Sequence, residues 1–262
     1  MPSLQTQKDF QGVRNLPFCY LCGRDFVATD AVDWDHVPAK SAFSPRDRDP
    51  PLKLKTHRET CHAQWSDNDK KVGQLISLRR GEGPKSQRDQ ALRFIQHGDM
   101  VGLENPNIEA AVWRWVKGFH AALYQRPLAA SRPLSIQTPF PRGRRGPSGI
   151  VIDPILEQHV VAVDLIKRNR IVENLDKVIS NKQKLRYECV WRKADAADAW
   201  ACFFALDIYD WKDLGSHTEK IPARGCVGIY MLPDKAAPPG ATLDSDSRIA
   251  VPNSDRFDAF AR

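Results

Sequence analysis

Two pairs of soft metal ligands constrain this chain more than any other feature. Cys19 and Cys22 form a Cys-x2-Cys knuckle, and His57 with Cys61 offers a second pair. Together they would make a four-coordinate Cys3His site, the kind that holds a structural zinc ion with no position left open. Between the pairs lies Asp35-His36, and His62 follows directly on the last cysteine of the set. A histidine preceded by a carboxylate, on a loop pinned by zinc, points to a catalytic histidine beside a site for a hard cation.

The setting decides how the cysteines are read. No apolar run approaches the ~18 residues of a membrane span, and the first residues, MPSLQTQKDF, lack the apolar core of a signal peptide. The expected location is the cytoplasm, with no membrane partner. There a Cys-x2-Cys binds metal more often than it forms a disulfide. The net charge of +7 leans towards polyanionic partners. Length allows one large or two modest domains.

The residues around the two pairs resemble the HNH nucleases of the ββα-metal group. Cys19-x2-Cys22, Asp35-His36-Val37-Pro38 and Cys61-His62 match that family's pattern in order, and Leu54 stands where its leucine would. Two positions depart. Lys53 occupies the place of the family's middle Asn, and Arg58 that of its third Cys, with His57 one residue earlier as the substitute. The resemblance covers roughly the first 75 residues.

It implies metal-assisted hydrolysis of phosphodiester bonds in nucleic acid, with DNA the expected partner and bacterial defence against phage as family context. His36 would be the general base, and Asp35 and His62 would hold one catalytic Mg2+ or Mn2+. The zinc on Cys19, Cys22, His57 and Cys61 would stay outside the chemistry. Lys53 has donors but no acceptor, so it would keep half of the Asn role, favour a neutral His36 by like-charge repulsion, and could donate to the phosphate. The alternative reading is a zinc-containing nucleic-acid-binding module, or a partner-dependent subunit with a degenerate nuclease site.

The expected fold class is α+β. Residues 1–80 would form the zinc-stabilised ββα-metal unit, with short strands at Phe26-Val27 and Ala31–Trp34, an irregular loop from Ser41 to Pro51, and a helix from Cys61 carrying Trp65, Val72, Leu75 and Ile76 on one face. Residues 81–125 would be a helical segment: a short helix with Leu92 and Ile95, then a longer one whose stripe is Ile108, Val112, Trp115, Val116, Phe119 and Leu123. Trp113 and His120 fall off that stripe and read as surface or interface.

Residues 126–149 hold five prolines and no acidic residue. They read as a linker whose Arg142, Arg144 and Arg145 could touch a nucleic-acid backbone. Residues 150–232 would be an α+β domain with an antiparallel sheet and no recognisable chemistry. It would open on a helix capped at Asp153-Pro154, followed by strands at Leu185–Arg192, Trp200–Tyr209 and Cys226–Met231. Cys189, Cys202 and Cys226 read as core thiols, and this half could carry a protein partner or a homo-oligomer contact. Residues 233–262 would be a poorly ordered tail.

Overall fold

The computed structural model describes residues 1–79, 82, 92, 94–97, 100–103, 106–130, 132–137, 145–146, 149–150, 155–195, 198–209 and 226–249. Strand β1 (Ser3–Leu4) leads into helix α1 (Gln7–Gly12), which a capping box starts. Thr6 Oγ1 accepts from Asp9 N at 3.2 Å, and the Asp9 carboxylate accepts from Thr6 N at 2.8 Å. Donors that a first turn leaves orphaned are thereby satisfied.

A two-stranded hairpin follows, β2 (Val32–His36) and β3 (Lys53–His57), antiparallel with Asp35 opposite Leu54 and His36 opposite Lys53. The strand expected at Phe26-Val27 is instead a turn, because Val27 N donates to the Asp30 carboxylate and Asp30 N to Val27 O. Exposed Val27 has no face to bury. From β3 the chain tightens through a π-helical turn at Arg58–His62 and a 3-10 turn at Ala63–Trp65 into α2 (Ser66–Arg79).

The short helix expected around Leu92 and Ile95 is corrected as well. Phe94–His97 (β4) and Met100–Leu103 (β5) pair as an antiparallel hairpin, in which the β-branched Ile95 and Val101 suit strands better than a helix.

Helix α3 (Ile108–Tyr124) is the centre of the molecule. Asn107 caps it by accepting from Ala110 N at 3.0 Å, and Gln125 ends it in the left-handed region at φ 53°. A helix buried on every side needs cover all round, and α3 has it. Gly118 lets the chain after β2 approach, since a Cβ there would lie 2.6 Å from Val37 Cγ1. Elsewhere on α3, Phe119 stacks on Tyr187 at 4.6 Å and Trp113 meets Tyr230 at 5.5 Å. Trp113 and His120 are therefore core residues and not surface ones.

The remaining elements are β6 (Ser135–Gln137), β7 (Arg145–Gly146), β8 (Gly149–Ile150), α4 (Ile155–Ile171), β9 (Asp176–Ser180), β10 (Leu185–Ala194), β11 (Ala199–Ile208), β12 (Cys226–Pro233) and β13 (Leu243–Ile249). A seven-stranded sheet runs β1-β9-β10-β11-β12-β6, with β13 parallel to the far half of β10. β6 pairs with β12 inside the segment expected to be a linker, and β13 corrects the expected tail as far as residue 249. Asp153 and Pro154 lie outside the described residues.

Both faces of the sheet are covered. Cys189, Trp191, Cys202, Phe204 and Tyr230 join the core around α3, while Val190, Ala201, Phe203, Ile229 and Met231 pack with Ala162 and Ile166 of α4. Hence Glu188 and Arg192, which alternation alone sends to solvent, are buried too, where Arg170 pairs with Glu188 and Asn169 accepts from Arg192 at 3.1 Å. The three cysteines of this half are buried in the core. The fold is thus mixed α+β, and among the described residues no helix is long and apolar enough to cross a membrane.

Candidate functional site

The Cys19–Cys22 loop is shaped by its own backbone. Cys19 N donates to Arg24 O at 2.9 Å, Gly23 N to Cys19 O at 2.8 Å, and Phe26 N to Pro17 O at 2.9 Å. Gly23 sits at φ 78°, a left-handed turn position that costs glycine little. This loop presents two sulfurs to the last residue of β3, His57, and to the π turn, which carries Cys61. The four ligand atoms all lie within 4.8 Å of one another.

The donor set fits a zinc ion. Bond lengths of ~2.3 Å to sulfur and ~2.05 Å to nitrogen in a tetrahedron separate S from N by about 3.6 Å. His57 Nδ1 lies 3.5 Å from Cys22 Sγ and 3.9 Å from Cys61 Sγ. The other ring nitrogen, Nε2, donates to the Asp30 carboxylate at 3.2 Å. That bond fixes the tautomer with the Nδ1 lone pair facing the sulfurs, as partners of metal-bound imidazoles do.

Thiol electrostatics agree with that placement. Burial alone would raise Cys19, but Thr56 and the backbone N–H groups of Cys22, His57 and Leu21 bring it down to about 7. Cys61 is pushed up to about 12, first by burial and further by its Cys19 and Cys22 neighbours. A divalent cation among the four atoms relieves that crowding. Lys117 of α3 donates to Leu21 O at 3.2 Å, and the nearby cysteines favour its charged form against burial.

A second cluster lies between the hairpin and the start of the helical run. His62 Nε2 is 3.5 Å from Asp35 Oδ1, and His62 Nδ1 is 3.3 Å from Asp33 Oδ2. Tyr20 donates its hydroxyl to the other Asp35 oxygen. Asp35 is only 3% exposed, while the side chains of His62 and Asp33 keep 27% and 41%. Behind them, Nη2 of buried Arg114 on α3 donates to both carboxylate oxygens of Asp69, at 2.7 and 2.8 Å. Among the described residues its Nε and Nη1 have no hydrogen-bond partner.

His36 belongs to the other side of the hairpin. Successive strand residues point to opposite faces, so Asp33 and Asp35 share one face, and Trp34 and His36 the other. The four expected catalytic residues therefore fall into two pairs, Asp35 with His62 and His36 with Lys53. His36 is lowered to about 4, first by burial and then by the Lys53 charge, with Lys40 and Arg48 acting in the same direction and Asp35 against them. Its imidazole is neutral at pH 7.

Arg142 and Arg144 lie outside the described residues, and Arg145 is described only as backbone of β7. Sequence reasoning passed over Tyr20, Asp30, Asp33, Asp69, Arg114 and Lys117. Two of these left a signal: Asp33 repeats Asp35 at the strand period of two, and Arg114 is a charge between two tryptophans in the most apolar helix. No protein-family model, curated protein or solved structure matches the chain.

Proposed function

We propose that the chain is a metal-dependent endonuclease of the HNH kind, hydrolysing phosphodiester bonds in nucleic acid, with DNA as the substrate. One observation carries this reading. A hairpin leads directly into a helix, the Cys19, Cys22, His57 and Cys61 set clamps the junction, and the clamp brings Asp35 to His62 at 3.5 Å. The order of parts is that of the family the sequence resembles.

Asp35 and His62 would hold a Mg2+ or Mn2+ ion, which would supply positive charge to offset that of the phosphodiester. Tyr20 and Asp33 orient those two side chains through their hydrogen bonds. Neutral His36 accepts a proton from water as the water oxygen bonds to phosphorus. The P–O bond to the leaving sugar oxygen breaks, and that oxygen takes a proton from solvent. Lys53 donates to a phosphate oxygen as negative charge builds there.

A zinc-held binding module is the second reading. It is favoured by the burial of Asp35, both of whose oxygens are already engaged, and by its turn away from His36. Incubating the purified protein with plasmid and single-stranded DNA in Mg2+, Mn2+ or EDTA separates the two. Metal-dependent nicking that His36→Ala abolishes, at unchanged zinc content, is the expected result. Tight binding with no cleavage under any metal would transfer the case to the binding module.

A further inference from the structure

We propose that the outer face of the hairpin, with helix α1 beside it, is a track for the sugar-phosphate backbone of a nucleic-acid strand, leading to His36. The track rests on the nuclease reading for its end point and on the hairpin for its substance. Cross-strand register pairs Trp34 with Lys55 and His36 with Lys53, and all four share one face. Arg14, two residues beyond α1, lays its guanidinium carbon 4.1 Å from the centroid of the Trp34 ring, and Lys55 Nζ lies 5.4 Å from that centroid. Cations held against an aromatic ring are fixed in place before a ligand arrives.

The charge is sorted by strand alternation. Asp33 and Asp35 are on the opposite face, so along the outer face a polyanion meets Arg14, Lys55 and Lys53 ahead of His36, with Asp49 the one carboxylate among the groove residues. Among the described residues Arg14, Lys53 and Lys55 make no ion pair. Arg14 and Lys53 also line one open groove with Gln7, Gln11, Asp49 and Pro50. Its volume of about 150 Å³ is well below the ~300–1,000 Å³ of sites that enclose free small molecules. A polymer that seats one unit there and continues across Trp34 fits the shape better than a cofactor does. Phosphate contacts from Arg and Lys position a strand without reading its sequence.

The test is binding of fluorescein-labelled single-stranded and duplex DNA to the zinc-loaded full chain with no added Mg2+ or Mn2+, across a salt series. Replacing one phosphate-contacting cation lowers the slope of log K against log salt by about 0.7 on a single strand and about 0.9 on a duplex. Arg14→Gln with Lys55→Gln should therefore remove two such steps, while Arg14→Lys with Lys55→Arg keeps the slope. Far-UV circular dichroism and zinc content identify variants that keep the fold, and Lys55→Gln alone, at one edge of the ring contact, gives a second chance to see one step. A wild-type slope in folded Gln variants overturns the track. So does DNA binding that is absent while phosphatidylserine vesicles bind and lose that binding in the Gln variants. Slope loss without cleavage under any metal keeps the track and removes the nuclease reading. His36-dependent cleavage with an unchanged slope does the reverse.

Discussion

The hairpin unit and the large sheet are held together by different forces. Around the hairpin, the buried positions include Cys19, Asp35, Thr56, His57 and Cys61 beside Tyr20, Val37, Leu52 and Leu54, so ligand geometry and hydrogen bonds add to apolar packing there. In the sheet, Tyr187, Trp191, Phe203, Phe204 and Tyr230 are buried against two helices, and order comes from apolar area at about 25 cal/mol per Å². A two-stranded hairpin leans on a staple more than a sheet covered on both faces does. The two regions should therefore fail in different ways.

Removing a ligand should give the largest effect. Structural zinc in small units carries ~10–16 kcal/mol of apparent binding energy, which is also folding energy. Cys61→Ser, or stripping the metal with a chelator, should open the chain between Cys19 and Cys61 to limited proteolysis while the sheet stays resistant. Elemental analysis of the wild type should find one zinc per chain. A stripped protein that resists cleavage in that stretch would show that packing alone holds the hairpin. Trp191→Ala should cost about 3–5 kcal/mol in urea unfolding, and the folded fraction should keep its zinc.

The sheet core also contains a pH-sensitive residue. Burial lowers His120 to about 3, where its Nδ1 meets the Tyr230 hydroxyl at 3.1 Å. An unfolded histidine titrates near 6.5, so between these values the unfolded chain binds the extra proton, and stability falls as pH falls below 6.5. At pH 5 the loss should be about 2 kcal/mol, and His120→Leu should flatten that part of the profile. An acid slope identical in the two proteins would assign it to other groups. The smallest effect belongs to Asn68, whose amide clamps Asn107 through bonds of 2.9 and 3.1 Å and so ties α2 to the cap of α3. Asn68→Ala should cost about 1 kcal/mol and leave both zinc content and the His120 slope unchanged.

What was legible in the sequence follows the same division. Ligand spacing is local information, so Cys19, Cys22, His57 and Cys61 could be grouped from their order alone, and the structure brings them together. Strand alternation was also legible, and β10, β11 and β12 fall within a few residues of their expected places. Cover was not. Glu188 and Arg192 alternate as an outer face should, yet α4 lies over them, and His120 leaves the apolar stripe only to meet Tyr230. The partner of β2 escapes the sequence because Lys53–His57, with four polar or charged residues in five, has little apolar signal of its own. Ladder pairing with β2 holds it as a strand, and His57 at its end joins the Cys19, Cys22 and Cys61 cluster. Arg114 shows the same limit, since its partner Asp69 comes from a different helix.

Strand β1 has a consequence for the order of events during synthesis. Ser3 pairs with Lys177, 174 positions later in the chain. At ~5–20 residues per second a ribosome needs about 9–35 s to make that stretch. Through this interval the amino-terminal strand has no partner, while Cys19 and Cys61 emerge close together in time. Metal capture can close the hairpin unit long before the sheet exists to receive it. The nascent chain then carries a closed hairpin unit whose leading strand waits for β9 to emerge.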